Sequence, residues 1–196
     1  MSDHLLRTFI SVPLPRSIVS LRDMLKSTVN NKKANIKWIK SGNIHLTLKF
    51  LGHTPPESIN SINSIISEMV KRFTNMDFCL KGTGCFPTET RPRTLWLGIE
   101  GDLEQLQQFV ETINSELESQ GFPIEEYKFI PHVTLARVKY PPKHTPIIKE
   151  FLNVTYDSIP FFIEKVHFMS SELFPNGPIY SILGTHFLSP EREKEK

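Results

Sequence analysis

The sequence contains only two cysteines, no long run of apolar residues and almost no excess charge of either sign. Cys79 and Cys85 are too few for a fold built on disulfides, and we expect both to be reduced thiols of an intracellular protein. No run approaches the ~20 apolar residues that a membrane-spanning helix needs. The first residues also lack the continuous apolar stretch of a signal peptide. We therefore expect a cytoplasmic protein with no membrane contact.

The motifs of several common enzyme classes are missing as well. The chain has no Gly-x-Ser-x-Gly elbow of the serine hydrolases, and it has neither a Walker phosphate loop nor a dinucleotide fingerprint. A serine triad and the use of ATP or NAD thus have no support, and we expect no cofactor. A formal net charge of +2 does not by itself indicate a nucleic-acid partner, although a local basic patch would suffice for a substrate with few phosphates.

What is present is the composition of an ordinary globular protein, with 39% hydrophobic and 22% charged residues among 196. That length suffices for one compact domain or two small lobes. The period-two and helical spacings of the apolar residues predict a mixture of strands and helices. The predicted strands cover residues 7–12, 36–39, 44–50, 77–81, 94–99, 161–169 and 179–188, and the predicted helices begin near Ile18, Ile59, Leu103 and Pro146.

Glycines and capping residues predict where some of these elements end. Gly52 is expected to break the chain after the third strand, and residues 82–84 after the fourth. Asp102 and Gln105 have the spacing of a capping box, and Gly121 is the glycine expected to end the helix that follows.

Helices and strands occur in both halves of the chain, which favours an α+β fold. We expect two pseudo-symmetric lobes of mainly antiparallel sheet backed by helices, with a cleft between them. Residues 1–188 are interpreted as a single bilobal domain and residues 189–196 as a charged tail.

The most informative pattern is short and occurs twice. Residues 44–50 alternate apolar and polar side chains, which predicts a strand with His45 and Thr47 on one face. A similar apolar setting surrounds the second copy, in which His132 and Thr134 have the same spacing. A single histidine on a strand is most simply a structural residue, but two matching His-x-Thr strands favour a shared chemical role.

The reaction that suits two such pairs is in-line displacement at phosphorus. One imidazole deprotonates the attacking hydroxyl or water while the other protonates the departing oxygen, and an unperturbed pKa of ~6.5 suits both tasks near neutral pH. Threonine hydroxyls can donate to the non-bridging phosphate oxygens. Metal binding is the rival interpretation, but threonine is a poor ligand and no Cys, Asp or second His stands at zinc-like spacing.

The two motifs, HLTLKFLG and HVTLARV, closely resemble the twin motifs of the two-histidine phosphoesterase superfamily. Within it, the chain is most similar to the RNA 2′,3′-cyclic phosphodiesterase family, historically called 2′-5′ RNA ligases. The resemblance extends from Arg7 to about Phe187 and includes the segments RTFISVPLP, GCFPTETRPRTLWLGI and ELFPNGPIYSIL.

The resemblance implies hydrolysis of a 2′,3′-cyclic phosphate to a 2′-phosphomonoester without a metal. It implies that His45 and His132 are the acid and base, that Thr47 and Thr134 bind the phosphate, and that Arg137 contacts it. By strict alternation Arg137 lies on the face opposite to His132, so it reaches the site only if the strand twists or bulges.

The other candidate site residues are aromatic or basic. Phe129 and Phe50 could stack on a base. Phe50, however, shares the strand face of Leu46 and Leu48 and is predicted to be a core residue. Lys49 is predicted to share the face of His45. Trp38 and Trp96 are predicted core residues, and the role of Tyr180 stays open. Six basic residues could steer an RNA strand or be ordinary surface charges: Lys32, Lys33, Lys37, Lys40, Arg91 and Arg93.

Three functions therefore remain from the sequence. The first is cyclic phosphodiesterase activity on RNA 3′ ends or small nucleotides, by a monomer. The second is 2′-5′ joining of RNA ends, which the same residues would catalyse in the reverse direction. The third is a binding module for nucleotides or RNA ends whose catalysis has lapsed, which the intact motifs disfavour.

Overall fold

The computed structural model describes residues 5–29, 35–124, 128–139 and 145–190, and these form one nine-stranded sheet with four α-helices and two 3₁₀ turns. The strands are β1 (Leu6–Pro13), β2 (Ile36–Trp38), β3 (His45–Thr54), β4 (Met76–Phe86), β5 (Thr94–Gly101), β6 (His132–Val138), β7 (Ile159–Ile163), β8 (Lys165–Phe174) and β9 (Gly177–Phe187). The helices are α1 (Ile18–Ser27), α2 (Ile59–Val70), α3 (Leu103–Glu118) and α4 (Lys149–Asn153), and the 3₁₀ turns are Ser41–Asn43 and Pro56–Ser58.

The sheet consists of two similar halves joined at its centre. The strand order is β7-β4-β5-β6-β3-β1-β8-β9, and β2 pairs with β6. All the strand pairs are antiparallel, and β3 meets β6 where Leu46 pairs with Val133. Each half therefore contributes one His-x-Thr strand to the centre of the sheet, and the predicted α+β bilobal class is confirmed.

The longer helices α1, α2 and α3 pack on the sheet because each carries an apolar stripe. In α3 the buried residues are Leu106, Phe109, Val110, Ile113 and Leu117, which recur at the spacing of one helix face. They join the inward side chains of the central strands in one continuous core. Gly121 ends this segment as predicted, with a φ of 85°, and the Leu117 carbonyl accepts a hydrogen bond from the Phe122 N–H.

The predicted breaks at glycines are wrong in two places. β3 continues through Gly52, whose φ of 76° accommodates an irregularity in its pairing with β1. β4 continues through residues 82–84, where a register shift relative to β5 absorbs the extra residues. A strand can thus pass a glycine by forming a bulge instead of ending there.

Two other predicted boundaries also differ. The single strand predicted over 161–169 is two strands, because the chain leaves the edge of the sheet at Glu164 and β8 begins beside β1. The capping box does not form: Asp102 Oδ2 accepts from the Asp77 N–H at 2.8 Å, and the Gln105 amide donates to the Thr74 carbonyl. Both side chains hold α3 to the start of β4 instead.

The first residue of the predicted tail forms backbone hydrogen bonds with the segment before β4. Ser189, assigned to the tail, donates its N–H to the Phe73 carbonyl at 2.9 Å, and its carbonyl accepts from the Asn75 N–H. Residues 191–196 lie outside the described part. Cys79 and Cys85 are both free thiols, as expected. Within the described ranges, no helix is both long and apolar enough to cross a membrane.

Candidate active site

The two His-x-Thr motifs lie on neighbouring strands at the centre of the sheet. Leu46 and Val133 pair directly and are both fully buried on the helical side. Because side chains alternate along a strand, the residues flanking them point to the opposite, open face. In this antiparallel register His45 lies across from Thr134, and Thr47 across from His132. The sheet thus brings the four predicted residues of the two motifs to one face.

Each histidine is held in one orientation by the backbone that precedes it. His45 Nδ1 lies 2.9 Å from the Asn43 carbonyl oxygen, and His132 Nδ1 lies 2.8 Å from that of Ile130. A carbonyl can only accept, so Nδ1 carries the hydrogen in both rings. In the neutral ring, Nε2 is then the atom with a lone pair and can exchange a proton with a bound molecule.

The surroundings of both imidazoles favour the neutral form of the ring. Burial is the main reason why the pKa values of His45 and His132 lie below the usual value of 6.5. The hydrogen bond to the carbonyl opposes this in each ring, and the Arg137 guanidinium lowers both pKa values further. At neutral pH the two rings are therefore neutral in the free protein, and one can act at once as a base.

A bulge brings Arg137 to the face of the histidines. Leu135 and Ala136 are consecutive residues and both are fully buried, and the pairing of β6 with β5 shifts by one residue at this point. The alternation is thereby reversed, and Arg137 emerges exposed on the open face. Its effect on both histidines places its charge near each ring.

The first motif contains the same bulge, and it overturns two predictions. Leu48 and Lys49 are consecutive and both buried, so that Lys49 points to the helical side and Phe50 emerges on the open face with 57% exposure. Lys49 Nζ donates to Asn114 Oδ1 at 2.7 Å and to the Pro123 carbonyl at 2.8 Å. Lys49 therefore does not share the face of His45, and Phe50 is not a core residue.

Aromatic rings surround both histidines. Phe9 stacks on His45 with ring centroids 4.9 Å apart, and Tyr180 meets the same imidazole edge-on at 5.4 Å. Phe86 meets His132 edge-on at 5.0 Å, and Trp96 lies 6.2 Å from it.

The sequence pattern does not reveal most of these rings. Trp96, predicted to be core, packs beside His132, whereas Trp38 does pack against the core. Phe9 and Phe86 are not among the predicted site residues. Phe9 lies two residues before Ser11 in β1, so the two side chains share a face, and Ser11 pairs directly with Thr47. The pairing of β1 with β3, once known, would have identified Phe9 as a neighbour of the first His-x-Thr motif.

Phe129 does not lie with this group. It packs against the core and lines a small cavity with Leu48, Ile124 and residues of α3, on the helical side of the sheet. The aromatic ring that stands exposed near the histidines is Phe50, which lies 6.1 Å from Phe9. The position of Phe129 on the helical side does not suit the predicted stacking on a base beside the histidines.

The remaining candidates lie around the rim or outside the described part. Lys37 pairs directly with Arg137 and shares its face, whereas Lys32 and Lys33 lie outside the described residues. Arg91 and Arg93 belong to the segment before β5. Across the described ranges, no group of three or more His, Cys, Asp or Glu side chains is arranged to hold a metal ion.

Known proteins share this architecture. A family model described as the 2′-5′ RNA ligase superfamily matches residues 16–173. A protein of Thermotoga maritima named RNA 2′,3′-cyclic phosphodiesterase is 32% identical over 91% of this chain and 93% of its own length. One of the same name from Methanothermobacter thermautotrophicus is 29% identical over 89% and 95% of the two chains.

Solved structures agree with these matches. The crystal structure of the Thermus thermophilus protein TT0787 is 27% identical, covers 95% of this chain and 100% of that one, and superposes with a TM-score of 0.78. Escherichia coli LigT in its apo form, at 20% identity and a TM-score of 0.69 over 95% and 99% of the two chains, has the same fold. With a family model over most of its length and its two His-x-Thr strands joined at the centre of one sheet, the chain belongs to the 2′-5′ RNA ligase superfamily.

Proposed function

We propose that the protein hydrolyses 2′,3′-cyclic phosphate at RNA or nucleotide ends to a 2′-phosphomonoester, without a metal ion. The observation that carries the proposal is the pair of imidazoles on one open face, each with Nδ1 donating a hydrogen bond to a backbone carbonyl, which leaves Nε2 as the atom that exchanges the proton. The names of the Thermotoga and Methanothermobacter relatives support the same reaction. The site fits an anion because Arg137 acts electrostatically on both rings.

The reaction needs one neutral and one protonated imidazole. The Nε2 of one ring takes a proton from water as its oxygen attacks phosphorus; the bond from phosphorus to O3′ breaks, and the other ring's Nε2–H protonates O3′. Substrate binding prepares this state, because the negative phosphate offsets the charge of Arg137 and favours protonation of a nearby imidazole. Thr47, Thr134 and Arg137 stabilise the non-bridging oxygens, where charge gathers in the transition state.

Phe50 supplies a place for the base of the terminal nucleotide. Its ring is exposed next to Phe9, on the face that carries the histidines. Every nucleobase has an aromatic face, so stacking on Phe50 requires no particular sequence.

Joining of RNA ends is the second candidate, since the superfamily is described by that activity. The same residues would run the displacement backwards with a ribose hydroxyl as the nucleophile. Water at bulk concentration favours hydrolysis, so we assign ligation as a side activity. We also propose that the protein acts as a monomer in the cytoplasm. Sedimentation tests the oligomeric state, and cell fractionation tests the location.

The proposal is tested with an RNA oligonucleotide that ends in a 2′,3′-cyclic phosphate, incubated with the protein in EDTA. We expect a 2′-phosphomonoester product, and His45→Ala and His132→Ala should each lower the rate by at least roughly 10²-fold. His53→Ala is the matched control, because His53 is an exposed histidine at the far end of β3. No turnover in EDTA, an end-joined product as the main one, or near-normal activity of either variant would refute the proposal.

A further inference from the structure

Lys37 is a second cation on the open face of the sheet. It pairs directly with Arg137 across β2 and β6, and Arg137 pairs directly with Thr94 of β5. Directly paired residues of antiparallel strands project to the same side. The three side chains therefore form a row on the face of the histidines, with Lys37 one strand beyond Arg137.

This row places two positive charges next to each other. Like charges directly opposite each other on a sheet are destabilising. None of the ion pairs among the described residues includes Lys37 or Arg137. The arrangement is suited to an anion with at least two charges, one for each cation.

The ammonium group of Lys37 lies where the two halves of the sheet approach each other. A Cβ atom added to Gly177 would lie 3.5 Å from Lys37 Nζ, so the Lys37 side chain extends towards the turn between β8 and β9. The same turn is attached to the first motif, since Asn43 Nδ2 donates to the Pro178 carbonyl at 2.9 Å. The Lys37 ammonium group thus lies beside the turn of the other half of the sheet, whereas the Arg137 guanidinium lies near the histidines.

We propose that Lys37 binds the phosphodiester that links the terminal nucleoside to the rest of an RNA chain. The inference rests on the proposed function and extends it: the preferred substrate is a polynucleotide end, and a free nucleoside cyclic phosphate is a poorer one. Arg137 takes the reacting phosphate, and one nucleoside further along the chain the next phosphate meets Lys37. A lysine suits this position because its flexible ammonium binds a phosphate as a point charge without reading the base.

The test compares two substrates that differ in whether they carry this phosphate. One is a short oligoribonucleotide ending in a 2′,3′-cyclic phosphate, and the other is the matching nucleoside 2′,3′-cyclic phosphate with a free 5′-hydroxyl. Lys37→Ala should lower kcat/KM for the oligonucleotide by about tenfold, as for the loss of one charged hydrogen bond, and leave the nucleoside unaffected. The slope of log kcat/KM against log salt for the oligonucleotide should become shallower by about 0.7.

Two further variants separate this role from general effects. Lys37→Arg keeps the charge and should retain most of the preference for the oligonucleotide. Lys26→Ala removes an exposed lysine from the last turn of α1, in the helical layer, and should change neither substrate. Equal losses on both substrates, no loss on either, or the same loss in Lys26→Ala would overturn the inference. If the unaltered protein turns over neither substrate, the proposed function itself is wrong.

Discussion

The aromatic residues Phe50 and Phe129 offer a test at the scale of single side chains. Phe50 is exposed beside the histidines, whereas Phe129 packs under the sheet with Leu48. Because a stacked base is worth ~1–3 kcal/mol, Phe50→Ala should raise KM for a nucleoside cyclic phosphate by roughly tenfold. The free energy of unfolding of the Phe50→Ala variant should hardly change, since the Phe50 ring is already mostly exposed to water in the folded protein.

Phe129→Leu is the matched control for this measurement. It alters a half-buried aromatic ring that packs against the core on the other side of the sheet, and its KM should equal that of the unaltered protein. Steady-state kinetics on both variants decide between the two positions. A raised KM in Phe129→Leu together with a normal one in Phe50→Ala would return the stacking role to Phe129.

At the scale of elements, the pairing of β4 with β5 sets the position of a ring beside His132. Gly84 pairs directly with Trp96, and a Cβ atom at Gly84 would overlap the indole ring. Gly84→Ala must therefore displace Trp96, which packs against Phe86 and His132. We expect a loss of about 1–3 kcal/mol in the free energy of unfolding and a fall in kcat of roughly tenfold or more.

Gly42→Ala is the control for that substitution. A Cβ atom at Gly42 would meet no other atom within 4 Å, so its addition should leave both quantities unchanged. Urea unfolding and initial rates, measured on the two variants in parallel, give the comparison. Normal kcat in Gly84→Ala would show that the position of Trp96 does not matter to His132.

The same elements show how far the sequence alone could lead. Alternation correctly placed His45, Thr47, His132 and Thr134, since a strand without irregularity needs only a period of two. It failed after the fourth residue of each motif, because a bulge depends on how the neighbouring strand pairs, and no local pattern encodes that. For Arg137 the possibility of a bulge could be stated in advance, but its presence could not.

Over the whole molecule, the two halves are alike in backbone and different in chemistry. Both motifs bulge at the same point, so the fifth residue after each histidine emerges on the open face. In one half that residue is Phe50 and in the other it is Arg137. Similar strands thereby present an aromatic ring in one half and a cation in the other, which are the two contacts that we propose for the base and the phosphate of one nucleotide.

The burial of histidines also makes the stability of the whole molecule depend on pH. Burial is the largest cause of lowered pKa values at His45, His132, His167 and His186, all below the usual 6.5. As the pH falls below about 6.5, these histidines become protonated in the unfolded chain before they do so in the folded protein. The free energy of unfolding should therefore be highest above about pH 6.5 and should decrease as the pH drops towards the lowered pKa values.

Urea unfolding at about pH 7.5, 6 and 5 measures this dependence. The double variant His45→Gln, His132→Gln lacks two of the four histidines, so its free energy of unfolding should fall less steeply with decreasing pH. The loss avoided is up to ~1.4 kcal/mol for each unit by which folding had lowered the pKa of a removed histidine. His53→Gln, which alters an exposed histidine, should keep the slope of the unaltered protein. Stability that stays constant or rises between neutral and acidic pH would contradict the burial of these rings as neutral groups.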